Sequence, residues 1–253
     1  MFAAQRIAVV RALPGLGDML CLVPALRSLR AGAPDAQITV VGLPSTQWMI
    51  DRFPKYIDAF LPIGAWAGLP ETGNDHQLTR RTLAAARGSK FDLAIQLHGT
   101  GWYVNDLTEA LGARCNAGHF PEGEPPPDGK FRPWPEFGHE IHRLASLVRW
   151  LGYPDAGDHL EFDRLDSDES SPAIRDLAGA PYVVIHPGAS REDRRWVADG
   201  FAGVVAALAE RGIRSLISGS RTELDLASSV AHASPVSPLV IAGTTSLGSL
   251  SET

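Results

Sequence analysis

An α/β architecture built from two parallel sheets is what this sequence predicts, and three observations carry it. Short apolar, β-rich runs alternate with helical stretches along most of the 253 residues. Twice, over residues 6–30 and 182–210, such a strand enters a glycine-containing turn and leaves it as a helix. Between the two series lies a polar, proline-containing stretch, LDSDESSPAIRD, which reads as a linker. The expected division is an N-terminal Rossmann-like domain over 1–165, a linker over 166–180 and a second Rossmann-like domain over 181–253.

Ile7-Ala8-Val9-Val10 suits a strand buried on both faces of a parallel sheet. Gly15 and Gly17 allow a tight turn, and the helix after it sets Leu22, Leu26 and Leu29 on one face, with Arg27 and Arg30 elsewhere. Pro24 must kink that helix or restart it. Strands follow at 38–41 and 59–63, with helices near 46–52 and over 78–87, and Phe91 to Leu97 returns as a strand ending at His98-Gly99. A helix around 105–111 leads into EGEPPPDGKFRPWPEF, whose prolines and glycines predict a long loop without regular structure; such loops are more often functional than idle. His139 to Leu151 reads as a helix with Ile141, Leu144, Ala145, Val148 and Leu151 on one face. The second series runs strand 182–186, helix 197–210, strand 213–218, helix 222–232 and strand 239–242, after which Thr244, Thr245 or Ser246 would cap a further helix. Two such units place the expected chemistry in a cleft between them.

Composition narrows the function. A hydrophobic share of 44% and a charged share of 21% are those of a globular protein, and a formal net charge of -6 argues against general nucleic-acid affinity. Cys21 and Cys115 are too few for a disulfide framework and point to a reducing compartment, with Cys21 read as a small core residue. No run approaches the ~18 apolar residues of a membrane span and the N-terminus lacks a secretory signal, so a cytoplasmic location is expected, compatible with a membrane-bound substrate. Two nucleotide motifs fail at the first turn. Leu20 stands where a dinucleotide fingerprint needs its third glycine, and no lysine or hydroxyl follows the glycines as a phosphate loop requires.

Asp18 falls at the mouth of the first long helix, at the carboxyl end of a strand, where ligands of open α/β sheets collect; a helix cap is the competing reading. In the second half, HPGASREDRRW sets Gly188, Ser190, Arg191, Arg194 and Arg195 between a strand end and a helix start. Free amides, a hydroxyl and guanidinium groups there suit a phosphate. The alternative is that these arginines form surface pairs with Glu192 and Asp193. Glu223 is placed to accept from ribose hydroxyls or to favour the dipole of the next helix. Asp166-Ser167-Asp168 has the spacing of a metal-binding pair but lies in the linker, where solvation is expected, and His139 and His142 lack a third ligand. Trp102 and Trp134 could stack on sugar rings or simply pack.

Four segments together, RALPGLGDMLCLVPALRSLR, FDLAIQLHGTG, GHEIHRLASLVRWLGYP and HPGASREDRRWVADGF, resemble the ADP-heptose:lipopolysaccharide heptosyltransferases of glycosyltransferase family nine. The resemblance implies a GT-B fold of two Rossmann-type domains facing a cleft and an inverting transfer that uses no metal or other cofactor, with a nucleotide sugar, ADP-heptose, as co-substrate. It implies Asp18 as general base, Ser190 and Arg194 (arginine in place of the family's lysine) on the donor diphosphate, and Glu223 on the ribose. Gly188 and Arg195 join the donor side; Gly15, Gly17 and His98 fall on the acceptor side. The implied acceptor is a lipopolysaccharide core or lipid A-linked sugar, met at the cytoplasmic face of the inner membrane, with no nucleic acid as partner. The family's later D-T-G-x-x-H-like motif does not occur before Thr253, so the second domain reads as incomplete. On that reading the chain alone is expected to be loosely folded after about Tyr182 and inactive. The alternative is a non-catalytic nucleotide- or glycan-binding remnant.

Overall fold

Arg6–Val10 forms β1, and its side chains divide between two apolar layers: Ile7 and Val9 enter one, Ala8 and Val10 the other. That is why a continuous apolar run, rather than an alternating one, encodes it. The computed structural model describes residues 4–169, 171–175, 177 and 179–251, in two compact units, 1–163 and 164–253.

In the first unit β1 is followed by α1 (Leu16–Leu20), α2 (Val23–Gly32), β2 (Gln37–Gly42), α3 (Trp48–Arg52), β3 (Ala59–Pro62), α4 (His76–Ser89), β4 (Leu93–Gln96), α5 (Trp102–Ala110), β5 (Asn116–Phe120), β6 (Lys130–Pro133) and α6 (Glu140–Trp150). The six strands are parallel in the order β3-β2-β1-β4-β5-β6, with helices over both faces. Pro24 restarts the helix rather than kinking it: α1 ends at Leu20, and Pro24 sits in the first turn of α2, where its missing N–H costs nothing. Leu22, Leu26 and Leu29 are fully buried against the sheet. Cys21 is only half-buried and packs on the edge of that layer rather than inside it.

The proline-rich stretch departs from the expectation of an irregular loop. Lys130–Pro133 pairs in parallel with β5, from Ala117 with Lys130 to Phe120 with Pro133. As an edge strand ending in proline, it loses no ladder bond to the missing N–H.

The second unit holds α7 (Pro172–Arg175), β7 (Tyr182–Ile185), α8 (Ala198–Ala209), β8 (Arg214–Ile217), α9 (Leu224–Ala233), β9 (Leu239–Val240) and α10 (Leu247–Leu250). Its sheet is parallel, in the order β7-β8-β9. The stretch expected to be a linker contributes to this core: Ile174 and Leu177 are buried with Leu216 and Ile241. Asp168, expected to be solvated, is half-buried and accepts from the Leu165 amide at 2.9 Å. Ser246 caps α10, accepting from the Ser249 amide at 3.0 Å.

Candidate functional site

The strand order of the first unit reverses between β1 and β4, and the crevice of a doubly wound sheet opens at that point. Two loops leave these strands side by side. Arg11, wholly buried, ties them together: its Nε donates to the Asp18 carbonyl at 2.8 Å and one terminal nitrogen to the Leu97 carbonyl at 2.5 Å. The same guanidinium pairs with Glu140 Oε1 at 3.2 Å, which brings the start of α6 to the same point. The Ala12 amide donates to His98 Nδ1 at 3.1 Å, a second link between the loops. With Nδ1 accepting, the ring proton of neutral His98 sits on Nε2, available as a donor. Burial, and then the charge of Arg11, push the His98 pKa down to about 4, so the ring is neutral at physiological pH.

Asp18 is held by its main chain, which leaves its carboxylate exposed and without a hydrogen bond or ion pair among the described residues. It does not cap α1. Gly15 is the N-cap residue and makes no side-chain cap bond. The Asp18 carboxylate lies over Gly15, in the space that a Cβ there would enter. Gly17 has open space around its Cβ position. Asp18, Gly15 and His98 thus gather at one end of the sheet.

In the second unit, the strand–turn–helix begun by β7 passes through a short 3-10 turn, Glu192–Arg194, before α8. The surface-pair reading of its arginines holds for two of the three. Arg191 pairs with Asp193 at 2.5 Å; Arg195 donates to the Ala189 carbonyl at 3.0 Å and lies 3.9 Å from Glu192. Arg194 is exposed and has no side-chain hydrogen bond or ion pair among the described residues, and Ser190 is also exposed. Glu223 Oε2 accepts from the Ser220 amide and hydroxyl, each at 2.7 Å, and these bonds, the amide first, hold its carboxyl below the usual range. Its Oε1 lies against Gly188, where a Cβ would overlap it, and 3.9 Å from His186 Nε2. Gly188 and Glu223 therefore meet at the ends of β7 and β8.

The sequence reading missed Arg11 and Glu140, which lie 129 residues apart and meet only in the fold. An arginine directly after an apolar strand was the available signal. His142, considered beside His139 as a ligand, pairs instead with Asp158 at 2.9 Å. Trp134 packs between the buried His119 ring, 5.0 Å away, and the guanidinium of Arg143. Trp102 is half-exposed.

Two units, each built on a parallel sheet, are the architecture of the glycosyltransferases of GT-B fold. The chain superposes on the glycosyl transferase family 9 structure from Veillonella parvula with a TM-score of 0.73 at 20% identity, over 98% of this chain and 72% of that one. Escherichia coli heptosyltransferase WaaC with ADP gives 0.66 at 16% identity, over 98% and 77%. E. coli ADP-heptose lipopolysaccharide heptosyltransferase II gives 0.62 at 16%, over 98% and 75%. No curated protein matches the sequence. The chain belongs to glycosyltransferase family 9, the heptosyltransferases, whose family model matches residues 80–253. The Asp18 turn precedes that matched region; the superpositions span 98% of the chain.

Proposed function

We propose that the chain transfers a heptose, or a related sugar, from an ADP-sugar to a hydroxyl of a lipopolysaccharide core or lipid A-linked acceptor, inverting the anomeric centre without a metal. The observation that carries this reading is the Asp18 carboxylate, exposed after β1 with no hydrogen bond or ion pair among the described residues and its main chain held by Arg11, in a member of a heptosyltransferase family. Asp18 takes the proton of the acceptor hydroxyl as its oxygen attacks the anomeric carbon. The bond from that carbon to the diphosphate breaks in the same displacement, which inverts the centre. Arg194, Arg195, Ser190 and the amides near Gly188 take up the charge of the departing ADP, and Glu223 Oε1 accepts from a ribose hydroxyl. His98 Nε2 donates to the acceptor. WaaC structures with ADP and with ADP-2-deoxy-2-fluoro heptose support an ADP-sugar as donor.

A mass-spectrometric transfer assay with ADP-heptose, other nucleotide sugars and lipid A-core acceptors tests the proposal, with EDTA as one arm. Transfer of one heptose by the full-length protein, undiminished by EDTA, is expected. Loss of transfer in EDTA with rescue by a divalent ion would overturn the metal-free step. Tight ADP binding without transfer to any acceptor would leave a binding protein in place of the enzyme.

A further inference from the structure

Trp102 and Tyr103 open α5 with 52% and 49% of their surface exposed, at the end of β4 that also carries His98. Rings so exposed contribute little to a core. They stand instead between two cavities of the first unit. One, of about 240 Å³, lies between Gly68–Glu71 and His98–Val104; the other, of about 260 Å³, is bounded by Asn105, Asp106, Phe120, Glu124 and nearby prolines. Each has room for a single sugar ring.

Neighbours hold Tyr103 closely, and Trp102 rests against it. Gly68, at φ +84°, lies directly under the Tyr103 ring, where a Cβ would overlap it, and Trp66 Nε1 donates to the Tyr103 carbonyl at 3.0 Å. Trp102 meets Tyr103 edge to face at 6.2 Å. Gly101, at φ +89°, lets the helix start against the His119 carbonyl and the Asn105 side chain, leaving no room for a Cβ.

The polar groups around these rings define the ligand. Glu71 borders the first cavity, Asp106 and Glu124 the second, and among the described residues no lysine or arginine borders either. Carboxylates accept from sugar hydroxyls, His98 Nε2 and the Thr100 hydroxyl donate to them, and an indole face suits the C–H face of a pyranose. A phosphate, a sugar acid or an anionic lipid headgroup would meet one carboxylate in the first cavity or two in the second, and no cation in either.

We propose that Trp102 and Tyr103 are a platform for two uncharged sugar rings of the acceptor, one whose hydroxyls bind Glu71 and His98 in the first cavity and one whose hydroxyls bind Asp106 and Glu124 in the second. This rests on the glycosyl-transfer reading and adds the chemical class of the rings recognised. Saturation-transfer NMR on the whole chain tests it, with methyl α-mannopyranoside as the neutral probe and mannose 6-phosphate and methyl glucuronide as the charged ones. The neutral glycoside is expected to bind saturably, about tenfold more weakly in Trp102→Ala, with part of the loss restored in Trp102→Phe. The charged probes are expected to bind about threefold more weakly than the neutral one, and Glu71→Gln with Glu124→Gln should narrow that gap. Binding unchanged in Trp102→Ala, tighter binding of the charged sugars, or Trp102-dependent binding to phosphatidylglycerol vesicles without sugar binding would overturn the platform. An ADP titration of the wild-type chain separates the two readings: ADP bound without sugar removes the platform alone, sugar bound without ADP removes the transfer reading alone, and neither bound removes both.

Discussion

Replacing Arg11 by methionine tests whether the Asp18 turn is anchored as described. The methionine fills much of the stem's volume, so the loss is chiefly that of the guanidinium. Three acceptors lose their donor: the carbonyls of Asp18 and Leu97 and the carboxylate of Glu140. Breaking a buried ion pair from one side costs about 3–5 kcal/mol. The Glu140 side chain keeps 28% exposure, so water takes up part of its charge, and a loss near the lower end, about 3 kcal/mol, is expected for the first unit. Because two units unfold within one chain, hydrogen exchange of β1 and β4 amides is the suitable measure, and their protection should fall by roughly 10²-fold. Glu140→Gln in the Arg11→Met background removes the stranded charge, so the double variant should lose less than the sum of the single losses, with a coupling of about 1–3 kcal/mol. Losing the Arg11 charge should also let the His98 pKa rise from about 4 toward its ordinary value, readable by NMR titration. A loss below about 1 kcal/mol, or strictly additive single effects, would refute the anchoring role.

In the full-length protein, Asp18→Asn should lower transfer by roughly 10²–10⁴-fold with ADP affinity little changed, since the base acts in the transition state; near-normal turnover in the transfer assay would remove Asp18 from the chemistry. Arg194→Ala should weaken ADP more than adenosine in calorimetric titration, and equal weakening would show that its guanidinium does not face the diphosphate. His98 and His119 both have pKa values pushed down to about 4 by burial, with a neighbouring arginine adding to the shift in each case. The unfolded chain then binds more protons than the folded one between about pH 6.5 and 4, so the first unit should be at full stability above pH 6.5 and lose it steadily down to pH 4. Thermal melts that stay level across that window would contradict the buried neutral state of both rings.

The parts of the fold that were legible are those where local pattern and final burial agree. β1 reads directly because both of its faces are covered, and the Leu22-Leu26-Leu29 stripe reads directly because one face is. β5 could not be read: Asn116-Ala117-Gly118-His119-Phe120 contains no β-branched residue, and its extended form depends on β4 and β6 on either side. β6 was hidden by the prolines that suit it to an edge. Strand-then-turn logic placed Asp18, His98 and Gly188 just beyond strand ends because position after a strand is local information. The Arg11 anchor and the Ala12 to His98 bond, which spans 86 residues, depend on which strands become neighbours, and strand order is not written in any one segment.

The two edge strands of the larger sheet share a construction whose value lies outside the active site. β3 and β6 are each four residues long and each finishes in proline, at Pro62 and Pro133, and β6 also carries Lys130 and Arg132. A parallel sheet assembles from strands far apart in the chain, so its borders stay open for much of folding and invite pairing with other molecules. Brief, proline-stopped borders offer a foreign strand little ladder to extend. The first unit is thereby guarded against self-association by strand addition during the interval when its partners along the chain have yet to arrive.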